Sequence, residues 1–103
     1  MVRLRVADLC KTARVSRRDG ESLRHTLEAH WNDREPVILD FSGVVIASVS
    51  FFDESYGVLA LRQSLEEVSK RVKVENIQPD DRMLLNTIVL AREKERAAQS
   101  DQP

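Results

Sequence analysis

The stretch FSGVVIASVSFFDE, residues 41–54, concentrates the side chains of this chain that can do chemistry: the hydroxyls of Ser42, Ser48 and Ser50 and the carboxylates of Asp53 and Glu54. A serine hydroxyl can accept from a backbone amide, donate to a carboxylate, or carry a phosphate. Ser50 with Asp53 three residues on has the spacing of a capping box, in which the hydroxyl takes the amide of residue 53 and the carboxylate reaches back. Such a cap is worth about 1 kcal/mol. Glu54 adds negative charge to the first turn, where the helix dipole favours it. Capping therefore accounts for Ser50, Asp53 and Glu54 and leaves Ser48 surplus. Ser50 is expected chiefly as an N-cap. A hydroxyl at the mouth of a helix beyond a buried strand is also well placed for modification or contact, because such crevices are the functional edge of α/β sheets. Ser50 is the first candidate for that role and Ser48 the second.

Other chemistry is poorly supplied. Asp40, Asp53 and Glu54 could share a crevice with Arg17 and do acid–base work, but neighbours on a helix point about 100° apart. There is no P-loop, dinucleotide fingerprint or nucleophile motif, so a non-enzymatic role is expected. Cys10 is the only cysteine, and His25 and His30 lie five apart, a poor helical spacing for one metal. Neither metal nor cofactor is expected. The net charge of −1 argues against nucleic acid as the main partner. Arg3, Arg5, Lys11, Arg14, Arg17, Arg18 and Arg24 make the first 24 residues basic, without the interleaved aromatics that stack on bases. Residues 25–70 carry three basic and eight acidic groups. That polarity can steer a charged partner, or be simply a solvated surface.

The elements that must position these residues follow from periodicity. Val2, Leu4 and Val6 alternate with Arg3 and Arg5 as in a half-buried strand. A second short strand is plausible near residues 13–15. Leu23, Leu27 and Trp31 form the stripe of an amphipathic helix that Ser16 or Asp19 can cap and Pro36 must follow. PVILDF is apolar on both faces, as in a strand inside a covered sheet. Ser42-Gly43 is a turn. From Ser50 to about Lys70 a long helix is expected, its front more enclosed than its back because Phe52, Tyr56 and Leu59 add a second stripe there. RVKVENI alternates as a strand. Pro79, Asp80 and Asp81 open a last helix, with Pro in the first turn and acids at the positive end.

The 103 residues are 42% apolar and 32% charged, which fits one folded domain. We assign it to residues 1–92, with 93–103 as a polar, fraying tail. No apolar run is long enough to cross a bilayer, and MVRLRVADL is no signal peptide, so a cytoplasmic location is expected. The alternation of strands and helices predicts an α/β fold, a small mixed sheet of about four strands with about three packed helices.

The segment VILDFSGVVIASVSFFDESYGVLALRQ resembles the centre of the STAS superfamily, the fold of bacterial anti-sigma-factor antagonists. More closely it resembles bacterial STAS-like domains of unknown function. Asp40-Phe41, Gly43-Val44, Ser50-Phe51, Asp53-Glu54, Gly57 and Leu59 fall on their pattern. Upstream, Ser16, Arg17 and Gly20 resemble a Ser-Arg-x-x-Gly element before the first helix. The likeness spans about residues 14–90. It implies a regulatory protein-interaction domain, with a surface at Ser42, Ser48, Ser50, Asp53 and Glu54. In the antagonists this helix opens with Asp-Ser-Ser-Gly, whose second serine is phosphorylated by an ATP-binding partner kinase. Without gaps that serine falls on Ser50, while the Asp becomes Ser48 and the Gly becomes Phe51. The implied partner is a histidine-kinase-like ATPase. Some STAS domains bind nucleotides, so small-ligand sensing is the alternative. Two acids beside Ser50 oppose a phosphate there. Arg17 can brace the junction through Asp40 or Asp53, or remain solvated.

Overall fold

The computed structural model describes residues 2–9 and 15–100. Its strands are β1 (Arg3–Arg5), β2 (Val37–Asp40) and β3 (Val72–Glu75). Its helices are α1 (Val6–Leu9), α2 (Arg17–Ala29), α3 (Val49–Phe52), α4 (Val58–Arg62), α5 (Leu65–Arg71) and α6 (Pro79–Ser100), with a π-helical turn, Asp53–Gly57, joining α3 to α4. β2 lies between β1 and β3 and pairs in parallel with both, Leu39 facing Leu4 on one side and Val74 on the other. Within this central strand Val37, Leu39 and Phe41 are buried and Ile38 is half-buried, as in a sheet covered by helices. Parallel neighbours need long crossovers, and the helices supply them.

The α/β class holds, and the finer expectations need correcting. Among the described residues the sheet has three strands, all parallel, where a mixed sheet of about four was expected. Residues 13 and 14 of the anticipated second strand lie outside the described residues, and Val15 is in no strand. The long helix expected from Ser50 to Lys70 is broken at Gln63 and Ser64. There Ser64 caps α5, its hydroxyl accepting from the amide of Glu67 at 3.1 Å. The signal was in the sequence, because Ser64 and Glu67 have the spacing of a capping box. Two short helices, α1 and α5, thus raise the count above three.

The front of the α3–α4 run is the better buried part. Phe51, Phe52, Tyr56, Leu59 and Ala60 are all buried, together with Leu39 and Phe41 of the sheet and Leu23 and Leu27 of α2. The Phe51 and Phe52 rings meet edge to face at 5.5 Å. α2 and α6 pack against the π turn. Gly20 sets how closely α2 can approach: a Cβ there would lie 2.4 Å from the Phe51 carbonyl oxygen. α6 starts at Pro79 and runs past residue 92 to Ser100, with Glu93 accepting from the Leu65 amide at 3.2 Å and pairing with Arg96 at 2.6 Å. Among the described residues no helix is long and apolar enough to cross a membrane.

Candidate functional site

At the carboxyl end of β2, Asp40 is buried and fully engaged. Its Oδ1 accepts from the Ser42 amide at 2.9 Å, the Ser42 hydroxyl at 2.6 Å and the Asn76 side-chain amide at 3.0 Å. Its Oδ2 lies 3.2 Å from the Arg3 guanidinium, which also reaches Glu75 at 2.7 Å. One residue on each strand thus closes the sheet's end. The Ser42 and Asn76 donors, with Arg3 adding to them, hold the Asp40 carboxyl far below the usual carboxylate range. Ser42 and Gly43 form the expected turn, Gly43 at φ 72° and the Val44 amide bonding back to the Phe41 carbonyl. A glycine suits that left-handed position.

The run after the turn is a loop held from outside. Only Ile46 in it is buried; Val45 is 68% exposed. Asp81, buried in the first turn of α6, accepts from the Ile46 amide at 2.7 Å and the Ala47 amide at 2.9 Å. Ala47 stands at φ 47°, an uncommon conformation for a residue with a Cβ, and the two bonds to Asp81 hold it there. Read from sequence alone, Asp81 has only a dipole role. Its work as a loop clamp depends on a contact 35 residues away, which no local pattern announces.

The clamp delivers the chain to α3 two residues earlier than expected: the cap is Ser48. Its Oγ accepts from the Phe51 amide at 3.2 Å, and its backbone is extended, as a capping residue requires. Ser50 is therefore not the N-cap, and the Ser50–Asp53 capping box does not form. One residue of helix, Val49, precedes the place assigned to the cap. Ser50 lies half-buried on the second position of α3, and its hydroxyl has no hydrogen-bond partner among the described residues. Val49 beside it is 59% exposed.

Asp53 and Glu54 leave the π turn in different directions and are each latched by arginine. Asp53 takes a two-pronged bond from Arg92 of α6, Nε to Oδ1 and Nη2 to Oδ2, both at 2.7 Å. That fork lowers the Asp53 pKa. Gly57 makes room for it, since a Cβ there would lie 2.6 Å from Asp53 Oδ1. Glu54 faces α2. It pairs with Arg17, and the buried Arg24 donates to its backbone carbonyl at 2.7 Å and lies 3.3 Å from its carboxylate. Ser55, wholly buried, donates to the Phe51 carbonyl at 2.7 Å. This satisfies a helical acceptor where the wider turn interrupts the usual ladder.

The upstream element now has a physical account. Ser16 caps α2 in a reciprocal box with Asp19, Arg17 braces the junction through Glu54 rather than Asp40 or Asp53, and Gly20 admits the Phe51 backbone. The structure thus brings Arg17, Gly20, Phe51, Asp53, Glu54 and Gly57 together around the π turn. Asp40, Phe41, Ser42 and Gly43 belong to the adjoining end of the sheet. Arg24, Asn76, Asp81 and Arg92 are the supporting residues that sequence reasoning missed. Among the described residues no cluster of His, Cys, Asp and Glu could hold a metal ion; His30 lies 2.8 Å from Asp33.

Residues 19–82, from the first turn of α2 to the first turn of α6, match the model of a family described as STAS-like domain of unknown function (DUF4325). No curated protein and no solved structure matches the chain.

Proposed function

The chain belongs to the family of STAS-like domains of unknown function, and on that premise we propose that it is a regulatory domain that binds a protein partner at the mouth of α3, with Ser50 as the hydroxyl whose phosphorylation switches that binding. The observation that carries this reading is the division of labour among the junction serines. Ser42 is spent on Asp40, Ser48 on the cap and Ser55 on the Phe51 carbonyl. Ser50 alone among them has a hydroxyl with no internal task, beside an exposed Val49 and a loop carrying the exposed Val45.

Electrostatics support the same reading more than the bare sequence does. Two acids near a phosphate would oppose it, but Asp53 shares its charge with Arg92 and Glu54 with Arg17 and Arg24. The repulsion is correspondingly reduced. The partner class, a histidine-kinase-like ATPase, comes from the family resemblance. The domain acts here as the recognised surface and contributes no catalytic group. The test is binding to candidate switch kinases by the full chain with Ser50 as Ser, Ala or Asp. Ser50→Ala should keep the fold and the complex, while Ser50→Asp should keep the fold, by circular dichroism, and weaken the complex at least about tenfold, a cost of about 1.4 kcal/mol. Equal binding by all three forms would overturn the switch.

A further inference from the structure

α6 turns Asp81, Leu85 and Val89 into the domain, and Arg92 reaches the Asp53 carboxylate from the same side. The opposite face carries Met83, Thr87, Leu90, Lys94 and Ala97, all exposed and spaced by alternate steps of four and three residues. That is the 3.5-residue period of a coiled-coil seam, sustained over about two heptads and about 21 Å of helix. Met83 and Leu90, 70% and 57% exposed, stand two turns apart on it. Thr87 fits an apolar seam because its hydroxyl donates to the Met83 carbonyl at 2.9 Å, so its polar group is spent on its own helix.

The seam carries both halves of a knobs-into-holes joint. An open hollow on the α6 surface is lined by Leu90, Glu93, Lys94 and Ala97, with Ala91 beside them. The first four stand at i, i+3, i+4 and i+7, the four-residue hole of paired helices. Met83, Asn86, Thr87 and Leu90 repeat that spacing one heptad earlier. The knobs Met83 and Leu90 are also one heptad apart, so the helix matches a reversed copy of itself. Met83 of one copy enters the later hole of the other while Leu90 enters the earlier one, and a single two-fold operation makes both contacts. Charge selects this direction. Asp80, Arg82 and Lys94 are exposed and have no ionic partner among the described residues. The antiparallel register sets Asp80 beside Lys94 of the second copy, and Arg82 beside its Glu93. A parallel register would set Lys94 against Lys94 and Ala97 against Ala97, which is a like-charge contact followed by a gap.

We propose that two copies of this chain pair through the outer faces of α6, antiparallel about a two-fold axis that crosses the helix close to residue 88. Met83 is suited to the knob position, because its unbranched thioether adapts to the hole it enters. Lys94 is suited to the wall of that hole, because its stem covers apolar surface while its ammonium reaches the rim and Asp80 of the second copy. The seam uses none of the residues of the α3 mouth, so the pairing stands or falls apart from the Ser50 switch. A dimer of this form presents two α3 mouths to its partners.

The test is sedimentation equilibrium of the full chain from about 10 μM to about 1 mM, a range set by a contact smaller than a standard interface. The chain should pass from monomer to dimer within it. Leu90→Glu, a surface change, should keep the fold by circular dichroism and weaken dimerisation at least about tenfold. Lys94→Asp brings two acids together and Asp80→Lys two lysines, so each variant alone should dimerise at least about threefold more weakly. An equimolar mixture of those two variants should recover the wild-type affinity, because in the mixed dimer both contacts between positions 80 and 94 are again opposite in charge. If Asp80→Lys does not fold, the Leu90→Glu comparison decides alone. A monomer at every concentration, a dimer that Leu90→Glu leaves intact, or a mixture no tighter than its separate variants would overturn the proposal.

Discussion

Ser48 and Ser50 are two residues apart and have opposite duties. The first holds the chain where the helix starts; the second is held by nothing. Ser48→Ala should lower stability by about 1 kcal/mol, as loss of an N-cap does, and Ser50→Ala should stay within about 0.5 kcal/mol, as a surface change does. Urea unfolding of the two variants checks this, and the reverse order would return the cap to Ser50. Asp40 makes a prediction in pH. Its carboxyl titrates well below its ordinary 3.8, because Ser42, Asn76 and Arg3 favour the ionised form in the fold. A depressed acid stabilises fully above its unfolded value, and the contribution drains away as pH falls below that value toward the folded one. The melting temperature of the wild type should therefore exceed that of Asp40→Asn by a constant margin near neutrality. The margin should shrink below about pH 4, where the unfolded carboxyl begins to take up its proton. A margin that widens on acidification would contradict the network.

At the scale of elements, the meeting of α2 with the π turn is the critical packing. Gly20 and Gly57 serve it differently: one admits a neighbouring backbone, the other a side-chain fork. Gly20→Ala would put a Cβ 2.4 Å from the Phe51 carbonyl oxygen, and backbone cannot turn aside as a long side chain can. The expected loss is about 1–3 kcal/mol, despite the better helix propensity of alanine. A stability equal to or above wild type in chemical denaturation would mean that α2 stands farther off. This contact also shows what a sequence can and cannot reveal. The helix around Leu23 and Leu27, the strand PVILDF and the enclosed front of the α3–α4 run were all legible, because each repeats an apolar pattern at its own period. The break at Ser64 was legible in principle, through its capping spacing, but the apolar stripe ran across it. The π turn had no such mark. Its wider circuit is settled by what packs on either side, Arg92 from α6 and Arg24 from α2, and those partners come from 30 or more residues away.

Over the whole molecule, the loop from Gly43 to Ala47 joins the sheet to the helices and is fastened at both ends. Asp40 ties its start to β1 and β3, and Asp81 ties its end to α6. The junction residues picked out in the sequence meet in the structure, with contacts other than those expected. The acids proved to be latches rather than caps, and the surplus serine proved to be the cap. Such roles depend on which distant groups arrive, so composition and spacing could bring the residues to notice without ordering them. The result is a scaffold in which Ser42, Ser48 and Ser55 spend their hydroxyls internally and Ser50 does not. The central claim is that this hydroxyl is left free for use. It is tested most directly by site-resolved phosphate mapping, by mass spectrometry, of the full chain isolated from its native cells. The account predicts phosphate on Ser50, with Ser42, Ser48 and Ser55 unmodified. Phosphate on Ser48, or a Ser50 that never carries phosphate, would contradict it.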